Sequence, residues 1–302
     1  METSVVFKKT TNLLHKKIAS SKEISIFEEW CKKEKWNVGI YDFEIYYKID
    51  KNGHMLFWDQ NQLVGIISII KHSNDYFTLG PYIVNPEYRN KGYGSFIIQA
   101  ALSYPRNINC LANIGLCAVS DQVKRYEKIG FKTTHLNHRW IFDGHTVPNK
   151  QSSGYSCTPI IMNHLNQLVT YDTEISPTNR TNLFIEMINH PNINGFLIQE
   201  HGKVQAYGFV RPCLEGYRVG PLIADSEEQA LAIVLQLIRD KNNKKIIFDI
   251  PSTNKHISTI YKKLNLYRDP ECDTHAMFTK DLNAPLLNNT QKNFGLFSLE
   301  IG

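Results

Sequence analysis

The sequence predicts an α/β fold, α+β with mixed sheets, arranged as two tandem domains of one plan. Each domain is expected to be a mostly antiparallel mixed sheet flanked by helices. Three observations carry this. Between residues 20 and 142 the hydrophobic pattern switches from helical spacing to alternation and back. After residue 157 the same order of patterns recurs. Finally, 302 residues with a hydrophobic fraction of 42% exceed the usual length of one domain and suffice for two cores.

Taken in order, Ser20-Ser21 followed by Glu23 reads as a helix start, and Ile24, Phe27, Trp30 and Cys31 continue it to about Trp36. Past Gly53 the segments His54–Trp58, Leu63–Lys71 and Tyr76–Val84, separated by polar turns, read as three successive antiparallel strands. A helix follows from about Gly92 to Tyr104, with Pro105 after its end. A strand over Ile114–Val119, a helix over Asp121–Ile129 and a strand over Phe131–Phe142 complete the first half. Residues 143–157 are polar and rich in glycine, serine and proline, and read as a linker between a first domain, 1–142, and a second, 158–302. In the second, Gly195-Phe-Leu-Ile-Gln lies like Gly53-His-Met-Leu-Phe, and Gly220-Pro221-Leu-Ile-Ala like Gly80-Pro81-Tyr-Ile-Val. Tyr261-Lys-Lys-Leu-Asn-Leu stands for Tyr126-Glu-Lys-Ile-Gly-Phe.

Several classes of function are disfavoured. The longest apolar run, Leu63–Ile70, falls far short of the ~20 residues that cross a bilayer, so no membrane span is expected. Val5-Val6-Phe7 is too short for a signal-peptide core and is followed by Lys8 and Lys9, so the chain reads as cytoplasmic, or as exported by a route the sequence does not advertise. The six cysteines form no Cys-x-x-Cys pair and have no histidine at ligand spacing, so they read as reduced, mostly buried thiols, with no metal. Residues 1–150 hold 20 Lys/Arg against 14 Asp/Glu, whereas residues 151–302 hold 14 against 15, so the positive excess lies in the first half, where it suits an anionic ligand. No basic cluster with interleaved aromatics points to nucleic acid.

One loop concentrates the chemistry. Val84-Asn-Pro-Glu-Tyr-Arg89-Asn90-Lys91-Gly92-Tyr93-Gly94-Ser95 runs from a strand through basic residues into a helix. Free N–H groups and the dipole at a helix N-terminus attract anions, and glycines let phosphate oxygens approach the backbone. A diphosphate suits such a cradle. The nucleoside-triphosphate loop needs Gly-Lys-Ser/Thr, which is missing; the dinucleotide fingerprint needs a third glycine where Ile97 stands.

Arg89-x-x-Gly92-x-Gly94, the strand before it, the helix after it and Tyr126-Glu-Lys-Ile-Gly130-Phe131 together resemble the GNAT superfamily of acetyltransferases, over about residues 63–131. The resemblance implies two tandem GNAT-like domains and an acetyl-CoA dependent N-acetyltransferase that transfers directly to a primary amine, on a small molecule or a protein. It implies that Ile83 and Val84 offer strand backbone to the pantetheine arm, that Arg89, Asn90, Lys91, Gly92, Tyr93, Gly94 and Ser95 hold the pyrophosphate, and that Ser120 and Asp121 sit where the family often touches the cofactor, frequently through Asn. It also makes Tyr126 the general acid for the departing thiolate, since a phenol near ~10 can protonate a thiol near ~8.5. Packing is the other reading of Tyr126, which shares a helix face with Val123 and Gly130. An alkyl amine near ~10.4 must lose a proton, and Glu44, Asp42, His54, Asp75 and His138 are the candidate bases.

At the matching place the second half reads Ala224-Asp225-Ser226-Glu227-Glu228-Gln229, with carboxylates for basic residues and no glycine. Asp225, Ser226 and Glu228 are expected to cap that helix, so this half resembles the degenerate second repeat of tandem GNAT proteins. Tyr261 reads as core and Phe294–Glu300 as a last strand. The other function class open to the sequence is a non-catalytic module that senses acyl-CoA or binds a protein partner.

Overall fold

In the computed structural model the described residues are 5–9, 12–144, 154–282 and 289–300. Most of the expected linker, and the side chain of Tyr261, lie outside them. The chain opens with two strands that the sequence analysis did not mark, β1 (Val5–Lys9) and β2 (Asn12–Ile18). A 3-10 turn at Ser21–Glu23 leads into α1 (Ser25–Lys33). At that turn Glu23 accepts the Ser20 backbone N–H at 2.9 Å and the Ser20 hydroxyl at 2.7 Å. A second helix, α2 (Asp42–Ile49), was also missed.

The meander is β3 (His54–Asp59), β4 (Gln62–Lys71) and β5 (Tyr76–Val84). Then come α3 (Tyr93–Ile108), β6 (Asn113–Ala118), α4 (Val123–Glu127) and β7 (Lys132–Phe142). Pro105 does not end α3; it lies inside the helix with its ring buried, and Asn109 closes the helix by donating its N–H to Pro105 O at 2.9 Å. The second half follows with β8 (Thr158–Pro159), α5 (Leu165–Asp172), α6 (Thr181–Asn189), β9 (Asn194–Glu200), β10 (Lys203–Cys213), β11 (Gly216–Ala224), α7 (Glu227–Ile238), β12 (Ile246–Pro251), α8 (Ser258–Leu264), β13 (Tyr267–Phe278) and β14 (Asn293–Gly295).

These strands form one continuous sheet, because the halves exchange strands. Its order is β1-β2-β3-β4-β5-β6-β13-β7-β12-β11-β10-β9-β8, with β14 on β11. β13, from late in the chain, inserts antiparallel between β6 and β7, and β7 pairs on its other side with β12. Strand exchange places second-half residues beside first-half residues along the middle of the sheet.

The helices lie against the sheet through three cores. Phe27 and Cys31 of α1 and Phe43, Ile45 and Tyr46 of α2 share one with Leu168 and Tyr171 of α5 and Leu183, Phe184 and Met187 of α6. Ile97, Ile98 and Ala101 of α3 pack over Phe77, Leu79, Ile114 and Leu116 in a second, and α7 packs over the second half's strands in a third. Burying apolar area of this extent is the main stabilising term.

Charged side chains inside the shared region come in satisfied pairs. Arg211 of β10, fully buried, grips Asp42 of α2 at 2.6 and 2.9 Å. Arg139 of β7 binds Asp249 of β12 at 2.8 and 3.1 Å, and Arg218 of β11 bridges Asp249, Glu300 and the carbonyl of Asn37. Opposed guanidiniums hold the Asp249 carboxyl below its usual range, against the effect of burial. All six cysteines are free, but only Cys31 and Cys213 are buried, so the expectation of mostly buried thiols fails: Cys110 is exposed and the others are half-buried.

Candidate active site

The basic loop folds as an anchored turn that leaves a helix end open. β5 stops at Asn85, whose N–H donates to Val64 O at 2.9 Å and whose side chain accepts the Glu87 N–H at 3.2 Å. A 3-10 turn at Pro86–Tyr88 follows, then Asn90 and Gly92 in left-handed conformation, with φ of 62° and 84°. Asparagine and glycine tolerate that region best, which accounts for their places. Gly92 is the N-cap of α3 and, as a glycine, brings no side chain to cap the first turn. The dipole at such a helix end attracts an anion.

Gly94 has a further reason here: a Cβ at this position would sit 2.5 Å from the Tyr82 hydroxyl. Tyr93 donates its hydroxyl to Asp59 at 2.6 Å, which fixes the first turn against β3. Arg89 points back to its own fold. Its Nε donates to Val84 O at 2.9 Å and its Nη2 pairs with Glu34. Its guanidinium thus fastens the loop to the end of α1, leaving Lys91, which lies over the Tyr88 ring, as the cation on the loop's exposed side.

Beneath the loop, β5 and β6 pair in parallel only from Tyr76 opposite Asn113 to Leu79 opposite Leu116. β5 runs on to Val84 and β6 to Ala118 with no pairing between them beyond that point, so the strands part. The stretch Gly80–Val84, including Ile83 and Val84, is paired on its β4 side alone. A strand edge of this kind can receive an extended ligand through its main-chain groups.

Two phenols stand on the α3 side of this gap. Tyr82 of β5 and Tyr126 of α4 pack against the same core, with Tyr126 edge-on to Phe131 at 5.8 Å. Burial pushes the Tyr82 hydroxyl up to about 12, and pushes Tyr126 up further, with Tyr82 itself as the second cause; the Arg125 guanidinium pulls both down. Both phenols are therefore protonated at neutral pH. The Tyr126 hydroxyl has no hydrogen-bond partner among the described residues.

Ser120 and Asp121 open the turn before α4, both exposed. Ser120 Oγ lies 3.3 Å from Nε2 of His275. His275 belongs to β13, opposite Ala118, so the exchanged strand brings a second-half histidine to this rim. Nothing local in the sequence signals that, because a partner 155 positions away depends on the exchange alone. Arg125, whose charge reaches both phenols, was also missed, although its place beside Tyr126 could have suggested it.

The candidate bases scatter. Asp42 is committed to Arg211 and is no free proton acceptor. His54 is wholly buried among Phe27, Phe43 and Tyr47, with Nδ1 on Ser68 Oγ at 2.7 Å, and burial drops it to about 3, so it is a weak base. Glu44 pairs with Lys48 at 3.0 Å, Asp75 accepts from Asn109 at 2.7 Å, and His138 faces Asp273 at 3.2 Å. In the second half Ser226 and Gln229 cap α7 reciprocally at 3.3 and 3.1 Å. Asp225 is not a cap; it accepts from Tyr171 and Lys292, and Glu227 accepts the Ile260 N–H. Among the described residues no cluster of three potential metal ligands occurs, and no helix is long and apolar enough to cross a membrane.

Comparison with known proteins bears directly on this geometry. A model of the acetyltransferase (GNAT) family matches residues 23–131, and one of an acetyltransferase (GNAT) domain matches residues 168–291. The chain belongs to the GNAT superfamily. It is a tandem member, and the two matches fall on either side of residues 143–157. The first match of this GNAT chain stops at Phe131, just before the exchanged strand β7, and the second includes β13.

Among relatives, a holothin acyltransferase of Pseudoalteromonas sp. (strain SANK 73390) is 27% identical over 82% of both chains. The uncharacterized N-acetyltransferase YitH of Bacillus subtilis is 23% identical over 64% of this chain and 67% of its own. The crystal structure of a putative acetyltransferase from Pyrococcus horikoshii superposes with a TM-score of 0.76 at 17% identity, covering 98% of each chain. A tandem GNAT protein from the clavulanic acid biosynthesis pathway gives 0.53 at 11% identity, covering 76% of this chain and 83% of its own. Both share this fold.

Proposed function

We propose that this GNAT protein is an acetyl-CoA dependent N-acetyltransferase that passes the acetyl group directly to a primary amine, with one donor site, in its first half. The observation that carries the reading is the parting of β5 and β6 beneath an uncapped helix N-terminus, with Tyr126 at the side of the gap. The thioester supplies an activated acyl group. The chain's own residues do the rest. The amides from Arg89 to Ser95, with Lys91, bind the pyrophosphate, and Ile83 and Val84 offer main-chain groups to the pantetheine arm. Ser120 and Asp121 contact the donor from the turn before α4, and Tyr126 gives its proton to the departing sulfur.

The raised Tyr126 suits that role in one respect and constrains it in another. The phenol is fully protonated at working pH, yet a weaker acid than free tyrosine. The same burial disfavours a thiolate in the gap, so the mismatch between donor and acceptor is smaller than their free values imply. The relative named as a holothin acyltransferase extends the donors worth testing beyond acetyl.

The test is release of free thiol from acetyl-CoA and a short series of acyl-CoAs, with and without amines of different classes. Amine-dependent release is expected. Tight donor binding with no release for any acceptor would instead identify a non-catalytic acyl-CoA sensor.

A further inference from the structure

The second half contains the same parting of strands, and there the gap is filled. β11 and β12 pair in parallel from Tyr217 opposite Ile246 to Val219 opposite Phe248, then separate. β14 enters between them. It pairs antiparallel with β11, placing Leu222 opposite Gly295 and Ile223 opposite Asn293. On its other side the Leu296 N–H donates to Asp249 O of β12 at 2.7 Å. The segment 293–296, β14 and the residue after it, is thus bonded to both lips of the gap, the placement proposed for a pantetheine arm against β5 in the first half.

The fit is built rather than incidental. Gly220, at the point of separation, carries no side chain, and a Cβ there would collide with Leu296 O. Phe294 and Phe297 are each 2% exposed. Arg211 donates Nη1 to Gly220 O at 3.0 Å and Nη2 to Phe297 O, while its guanidinium lies over the Phe297 ring at 3.8 Å. The charges are complementary as well. The first half offers a basic loop to an anionic ligand, whereas the second offers Asp225, and its cation is Lys292, 2.8 Å away and directly before β14.

We propose that residues 292–297 act as a ligand carried by the chain itself, occupying in cis the groove that corresponds to the donor groove of the first half. The second half is closed to acyl-CoA by this occupancy, in addition to lacking a phosphate loop. The correspondence between the grooves rests on the reading of the first half as the donor site; occupancy by residues 292–297 does not.

Hydrogen exchange of the full chain, with and without acetyl-CoA, separates the two claims. The segment 293–297 is expected to exchange slowly without ligand and to stay unchanged when acetyl-CoA is added, while the segment 80–84 slows. Fast exchange of 293–297 in the free protein, its release by acetyl-CoA, or slowing of 220–224 by the donor would overturn the proposal. Slow exchange of 293–297 with no response at 80–84 would refute the donor reading and leave the occupancy standing. In a Leu296→Pro chain, which loses the bond to Asp249, exchange of 293–297 should rise roughly 10- to 100-fold with donor affinity unchanged. Unaltered exchange in that variant would show that the segment is not held by the gap.

Discussion

Tyr126 and Gly94 are the residues on which the donor site turns. Tyr126→Phe removes the proton donor but keeps the ring against Phe131, so turnover should fall by ~10² to 10⁴ with donor affinity preserved, as steady-state rates and calorimetry would show. The sign of its pKa shift makes a second expectation. A general acid works while protonated, and burial raises Tyr126, so its loss of activity with alkali should begin only above the ordinary phenol value of 10.0. A limb in kcat near pH 8 must belong to another group. Histidine 54 shifts the opposite way. Buried neutral at about 3, it is uncharged in the fold and protonated in the unfolded chain below about 6.5, so its contribution to stability falls as pH drops through that window, by on the order of 4 kcal/mol at pH 3. The melting temperature should fall with acid, and less steeply in His54→Gln. At this scale the sequence was informative where local conformation demanded a residue type, as at Gly92. It was silent where a side chain's partner is remote: Asp42, one of five candidate bases, neutralises Arg211.

The loop from Asn85 into α3 is the element that was most legible, because a strand end, a positive-φ turn and an uncapped helix are all written in consecutive residues. Gly94→Ala tests it. The added methyl must displace Tyr82 and narrows the backbone approach, so donor affinity should fall at least ~10-fold without loss of fold, since the helix interior favours Ala over Gly by ~1 kcal/mol. Unchanged affinity measured by calorimetry would move the phosphate site elsewhere. α2 was harder to read: it is short, its N-cap Tyr41 makes no side-chain cap, and its first residue is a buried charge. β13 was harder still. Pairing with β7 is interrupted between Asp269 and Thr274, in a segment with Pro270 and Glu271, and no alternation survives there to mark a strand.

Across the whole molecule, strand exchange makes the halves interdependent. β7 is held between β13 and β12, and both partners come from beyond residue 157. A chain ending at residue 144 would leave β6 without β13 and β7 without either neighbour, so it should show no cooperative thermal transition alone, and should become soluble and fold when co-expressed with residues 154–302. Independent folding of 1–144 would mean that the exchange is dispensable. The tandem plan was visible in the recurrence of Gly-Pro and the Tyr-x-x-x pattern, but the exchange was not, since the pairing of distant strands leaves no local trace. The buried Asp42–Arg211 pair crosses the same boundary. Arg211→Met, which strands one carboxylate in the core, should cost about 3–5 kcal/mol in urea unfolding.

The most direct measurement is titration of the intact chain with acetyl-CoA by calorimetry. One equivalent per chain, weakened in Gly94→Ala and untouched in Tyr126→Phe, is the expected result. No heat at millimolar donor, or two equivalents, would contradict a single site formed by the loop before α3.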